Sequence, residues 1–191
     1  SGRGRLGRAW TSQPGQGVWC TVIERVRDAG ALDVLSLRVG LRAAEALDRF
    51  APERIRLKWP NDLLLSSGKL GGILCEARWA GGQPSWVAMG VGVNVRKPEG
   101  VPGAAWLRDG TNRVDVLHQI ARAVRVAAAA SGPLTALELH RYRARDALAG
   151  ARIASPAAGT VSGIAASGAL LVDTARGIEE HRTGTVRLAE D

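Results

Sequence analysis

The stretch Lys69-Leu70-Gly71-Gly72-Ile73-Leu74-Cys75-Glu76-Ala77-Arg78-Trp79, the turn Ala80-Gly81-Gly82-Gln83-Pro84 and the stretch Trp86-Val87-Ala88-Met89-Gly90-Val91-Gly92-Val93-Asn94-Val95 decide the architecture. Two apolar runs of strand length flank a turn rich in Gly and Pro, which is the pattern of a β-hairpin. The glycines inside both strands remove side chains, so something flat or another backbone can come close there.

Working back from the hairpin, Leu63 to Leu65 reads as extended until Ser66-Ser67-Gly68 breaks it. Ile55 to Trp59 reads as a further strand, and Pro60-Asn61-Asp62 as the turn between them. Asp33 to Phe50 is helical: Leu37, Leu41, Ala44 and Leu47 share one face, and Pro52 closes the segment. Gly40 inside that helix points to a closely packed neighbour. Val18 to Ile23 is a short buried strand. Downstream, residues 96–110 are loop-like. Asn112 can cap a helix whose apolar positions are Val114, Leu117, Ala121 and Val124, with Asp115 at its third position, and Gly132-Pro133 ends it. A second helix is expected over 134–148. After Gly150 short apolar segments alternate with turns, the rhythm of a barrel of about five strands. The expectation is one α+β domain over 1–148 and a small barrel over 149–191.

Composition bounds the function. In 191 residues, 46% are hydrophobic and 23% charged, which allows a real core. The net charge of +8 favours an anionic partner: a nucleotide, a nucleic acid or an acidic protein. Lysine occurs only at Lys58, Lys69 and Lys97. Cys20 and Cys75 lie in apolar stretches and read as buried thiols in a reducing compartment. His118, His140 and His181 are too scattered for a zinc site. Neither a membrane-spanning run nor a signal pattern appears, so the expected setting is cytoplasmic. The chain opens directly on a functional-looking loop, so the expectation is either that upstream sequence is absent or that the protein is a natural truncation.

Four stretches carry chemistry. In Gly2-Arg3-Gly4-Arg5-Leu6-Gly7-Arg8-Ala9-Trp10 the glycines let the backbone fold tightly and three guanidiniums can clamp phosphate or carboxylate. Alone, the stretch reads more readily as a basic Arg/Gly tail that binds RNA non-specifically. Lys58-Trp59-Pro60-Asn61-Asp62 sets an amide and a carboxylate, both hard oxygen donors, at a rigid turn, though a plain Asx turn would look the same. Lys69, heading a strand beside Gly71 and Gly72, offers a fixed cation to a ligand carboxylate, unless it simply faces solvent. Gly90-Val91-Gly92-Val93-Asn94 invites close backbone approach and ends in a polar amide.

In this order and spacing, GRGRxGRxW, KWPND, KxxGIL.E and GxGxN resemble the catalytic domain of biotin–protein ligases (the biotin–[acetyl-CoA-carboxylase] ligase and biotin holocarboxylase synthetase family). GTVSGIAASGALLV looks like the small barrel that follows that domain. The resemblance implies a mixed, largely antiparallel sheet with flanking helices, similar to class II aminoacyl-tRNA synthetases, plus a C-terminal SH3-like barrel. It also implies ATP-dependent activation of biotin as biotinyl-5′-AMP and transfer to a lysine of a biotin carboxyl carrier protein.

By the same resemblance Lys69 and Arg5 are the catalytic groups. Gly2, Arg3, Gly4, Arg8, Trp10, Gly72, Ile73 and Leu74 bind biotin and the adenylate. Asn61, Asp62, Asn94 and Trp106 serve ATP, with magnesium on the nucleotide near Asn61, Asp62 and Asn94. The family pattern includes a Ser/Thr-Asn segment ahead of the Gly/Arg loop, which this sequence lacks, and GTVRLAED departs from the family's GE-[VI]-x-LR ending. No winged-helix DNA-binding segment is seen, so neither DNA nor membrane is an expected partner, and a homodimer is left open. The rival readings are a catalytically silent truncated homologue or binding module, a lipoate ligase on the same architecture, and a basic nucleic-acid binder.

Overall fold

The computed structural model describes residues 2–4, 7, 9–10 and 13–189, with only the backbone at 2, 3, 9 and 10. The Gly/Arg segment forms a small hairpin in which β1 (Gly2–Arg3) pairs antiparallel with β2 (Ala9–Trp10).

The main sheet has five strands: β3 (Gly17–Arg25), β4 (Arg56–Lys58), β5 (Asp62–Leu65), β6 (Gly68–Ala80) and β7 (Gln83–Asn94). Their order is β3-β7-β6-β5-β4 and every pairing is antiparallel. The β6–β7 hairpin is its spine. Its turn is tighter than the sequence suggested: only Gly81 and Gly82 lie outside the strands, at φ 59° and 76°. Two successive positive φ values give the primed turn whose twist matches the strands, and Gly-Gly adopts it without strain.

Helices cover one face of this sheet. α1 (Leu32–Leu47) and α2 (Arg113–Ala128) pack on it and on each other, burying Val34, Leu35, Leu37, Leu41 and Leu47 from α1 and Val116, Ile120 and Val124 from α2. Below them lie Ile73, Val87, Met89, Val91 and Val93. α2 starts as expected, with the Asn112 side chain accepting from Val114 N. α1 is preceded by a short 3-10 turn that Asp28 caps. The other Asp28 oxygen accepts from Gly132 N at 2.6 Å, tying the start of α1 to the link after α2.

The second helix is shorter than expected. α3 (Ala136–Arg143) opens with a capping box between Thr135 and Glu138 but stops after eight residues. Beyond it the chain pairs with β4: Leu57 N donates to Arg145 O, and Ala147 N to Leu57 O. Arg145 holds this exit by bonding both Asp48 oxygens and the Ile55 carbonyl. Satisfying the edge of β4 outweighs one more helical turn.

The C-terminal residues form a second antiparallel sheet of β8 (Arg152–Ser155), β9 (Gly159–Ile164), β10 (Leu170–Thr174), β11 (Gly177–His181) and β12 (Arg187–Leu188). Five strands match the expectation. Their order is β11-β10-β9-β8-β12, and among the described residues β11 and β12 do not pair with each other, so closure into a barrel is not seen. Among the described residues this is an α+β fold of two five-stranded antiparallel sheets, the small β1–β2 hairpin and few helices. Among the described residues no helix is long and apolar enough to cross a membrane.

Candidate active site

The face of the main sheet away from α1 and α2 is the site. Side chains alternate across a strand, so the registers define which residues share that face. Trp19 pairs with Gly92, Gly92 with Gly72, Gly72 with Asp62, and Asp62 with Lys58. One row therefore crosses all five strands as Trp19, Gly92, Gly72, Asp62 and Lys58. The next row runs Thr21, Gly90 and Leu74. Three glycines at the centre make a bare backbone floor, with Trp19 and Thr21 along one side and charged groups along the other.

Lys69 belongs to this charged side. Its Nζ donates to Asp62 Oδ1 at 2.6 Å, and both side chains are partly exposed. A bulge between Leu63 and Leu64 shifts the register so that Lys69 lies opposite Leu64, two residues beyond Asp62. The Lys69 backbone is fixed separately: its N–H donates to Gly103 O and its carbonyl accepts from Ala105 N, each at 2.8 Å. Gly68 makes that pairing feasible, since it sits at φ 141° and a Cβ there would collide with the Gly103 carbonyl.

Asn61 is a clamp. Its side-chain amide donates to Ile73 O at 2.8 Å and its own carbonyl accepts from Ile73 N at 2.9 Å, which locks the β4–β5 turn onto β6. Ile73 itself points into the core at 2% exposure, so only its main chain is near the floor, and that main chain is engaged with Asn61. Leu74 and Gly72 do lie on the open face.

Asn94 is buried. Its amide donates to Ala105 O at 3.0 Å and Lys69 O at 3.3 Å, while its carbonyl accepts from Leu107 N. It thus pins the loop carrying Trp106 to the head of β6. Trp106 is half-buried, and Lys97 Nζ sits 5.5 Å from the centre of its ring. A cation over an indole face is the arrangement that cation–π attraction favours.

The structure therefore gathers Lys69, Asp62, Asn61, Gly72, Leu74, Asn94 and Trp106 around one floor. Arg5 and Arg8 lie outside the described residues, and Arg3 and Trp10 are placed by backbone alone in the β1–β2 hairpin, as is Gly2, with Gly4 in its loop. Sequence reading assigned no role to Lys58, Trp19 and Thr21. Lys58 was inside a quoted motif, but its place beside Asp62 follows only from the β4–β5 register. Among the described residues no group of three or more His, Cys, Asp or Glu could hold a metal ion. Asp62 offers one carboxylate, of which only Oδ1 is taken by Lys69. That fits magnesium bound mainly by nucleotide phosphates, which needs one or two protein carboxylates. The thiols take no part: Cys75 lies on the helix side, its pKa pushed up to about 12 by burial.

A bare floor edged by cations suits a ligand with a flat body and an anionic end. The model of the biotin/lipoate A/B protein ligase family matches residues 1–94, just under half of the chain. The biotin--[acetyl-CoA-carboxylase] ligase of Paracoccus denitrificans is 36% identical over 127 residues, covering 65% of this chain and 52% of that protein. The ligase of the same name from Mycobacterium tuberculosis is 41% identical over 116 residues, covering 57% and 42%. The biotin protein ligase of Aquifex aeolicus, solved in complex with biotin and ATP, superposes with a TM-score of 0.80 at 24% identity, covering 98% of this chain and 84% of that one, and shows the shared fold. The chain spans about half the length or less of these curated relatives.

Proposed function

We propose that this chain activates biotin with ATP and transfers it to a lysine of a biotin carboxyl carrier protein. The observation that carries the reading is the glycine floor of Gly72, Gly90 and Gly92 with the Lys69–Asp62 pair at its edge. In the first step a biotin carboxylate oxygen attacks the α-phosphorus, the bond to the β,γ-phosphates breaks, and pyrophosphate leaves. In the second a carrier lysine, as the neutral amine, attacks the acyl carbon. The acyl–phosphate bond breaks, AMP leaves with its electron pair, and the nitrogen gives up a proton.

Both steps gather negative charge on oxygen at the carboxyl–phosphate junction, so fixed cations are worth more than a general base. Lys69 holds the biotin carboxyl oxygen, and Asp62 aims it. Arg5, with Arg3 and Arg8, closes over the acyl phosphate; Gly2 and Gly4 let that loop fold, and Trp10 covers it. Gly72 and Leu74 line the biotin body, with Ile73 contributing its backbone frame. Asn61, Asp62 and Asn94 shape the nucleotide side, and Trp106 covers the adenine. Magnesium, when bound with ATP near Asp62, offsets phosphate charge. The setting proposed is the cytoplasm. We further propose that residues 149–191 form a partly open SH3-like barrel following a catalytic domain over 1–148.

The test is the intact mass of a carrier domain after incubation with the chain, biotin and MgATP. A gain of one biotin, absent without ATP and absent with lipoate, is expected. No gain together with no pyrophosphate release overturns the reading.

A further inference from the structure

We infer that Trp59 is a positioning residue whose indole, held by the C-terminal sheet, fixes the turn that aims Asp62 at Lys69. Trp59 stands between Lys58, on the open face, and the Asn61-Asp62 pair. Its own side chain takes the opposite side of the turn and is 2% exposed. There its Nε1 donates to the Gly168 carbonyl at 2.9 Å, across 109 residues of sequence.

The acceptor is itself held. Gly168 lies in the β9–β10 turn at φ 83°, and a Cβ there would press on Leu37 and Val34 of α1, each at 3.1 Å. Two residues earlier, Ala166 O accepts from Leu134 N at 2.9 Å. Ser167, between them, has its hydroxyl buried. From α1 the Ser36 hydroxyl donates to Pro60 O at 3.3 Å, on the residue after Trp59. The β4–β5 turn is therefore gripped from behind by α1 and the C-terminal sheet. In front, Asn61 clamps it to Ile73 and Asp62 pairs with Lys69.

The indole N–H is an unusual choice for a merely apolar plug. A buried Trp gives up its donor to a partner wherever it can, and here the partner lies in another sheet. A small rotation of a three-residue turn swings a carboxylate at its end away from a fixed ammonium, and misplacement on that scale is costly for a reacting constellation.

The inference rests on the proposed function for its kinetic consequence but not for its geometric one, so the two are tested separately in the full chain. Trp59→Phe keeps a ring and removes the N–H. Because lysine occurs only at Lys58, Lys69 and Lys97, reductive 13C-methylation gives few side-chain amine signals, and Lys69→Arg assigns that of Lys69. In Trp59→Phe the Lys69 signal is expected to move toward its position in Asp62→Asn. Adenylate formation is expected to lose about 10-fold in kcat with the KM for biotin little changed. A wild-type Lys69 signal in folded Trp59→Phe overturns the inference. If that variant does not fold, Ser36→Ala, which frees the same turn at Pro60, is read by the same signal and criterion. If wild-type chain makes no adenylate, the functional reading fails while the Lys69 signal still decides this one.

Discussion

Lys69 and Asp62 meet because a single bulge shifts β5 against β6, placing the lysine two residues past the carboxylate on the same open face. The pair spares each charge an unpartnered place at the floor's edge while leaving both partly solvated, where an ion pair adds little stability. On the proposed reading its value is in geometry: one ammonium, aimed, with a carboxylate oxygen to exchange for that of a substrate. Replacing Lys69 by Ala is expected to slow adenylate formation by about 100-fold or more, the cost of removing one fixed donor from a developing oxyanion. Pyrophosphate release measures it, and an unchanged rate removes Lys69 from the chemistry. Lys69 was legible as a candidate in the sequence, because lysine is scarce and this one precedes two glycines. Its partner was not, since pairing between residues 62 and 69 depends on a register that no spacing reveals.

At the scale of elements, α1 shows what local pattern reads well and where it stops. Its apolar face was visible as Leu37, Leu41, Ala44 and Leu47, and all four are buried. Gly40 was expected to mark a close neighbour, and it does lie over the sheet, but a Cβ there would stand 3.5 Å from Ile73 Cδ1 and 3.7 Å from Leu57 Cδ2. Those are ordinary contacts, so the position has room for a methyl. Gly40→Ala is therefore expected to stabilise the fold by about 0.5–1 kcal/mol, through helix propensity and a less flexible unfolded chain. A raised urea midpoint checks this, and a lowered one shows the contact to be tighter than it looks. By contrast α3 ended early because Arg145 and the main chain beyond it serve β4, a partner ninety residues away. Helical periodicity carries no warning of such a competitor.

Across the whole molecule, the elements are joined by a few buried polar ties. Arg38 of α1 has no exposed surface; it donates to both Glu138 oxygens in α3 and to the carbonyls of Gly132 and Pro133. Burial pushes the Glu138 carboxyl up, but hydrogen bonds from Arg38 and the Thr135 backbone, with the Arg38 charge, outweigh it and hold the pKa at about 2. A depressed folded pKa stabilises above the unfolded value and loses that stability as pH falls. Between about pH 4.5 and 2 the fold is expected to lose on the order of 2 kcal/mol through this group. Urea unfolding of the wild type against Glu138→Gln checks it: the variant, less stable at neutral pH, is expected to show a flatter acid limb, and parallel limbs would place the acid sensitivity elsewhere.

By itself the sequence determined the α+β class, the central hairpin, the capped helix after Asn112, five strands at the C-terminus and four motifs, of which those over 58–62, 69–76 and 90–94 meet on the main sheet. These are local signals: periodicity, turn residues and caps, each complete within a dozen residues. Only the tertiary structure decided that Gly72, Gly90 and Gly92 form one floor, that Asn94 pins a loop, that Lys58 flanks Asp62, and that Trp59 reaches the C-terminal sheet. Each of those depends on strand register or on a contact between distant segments. Both are set by the packing of the whole chain, and neither leaves a periodic trace in any single stretch of it.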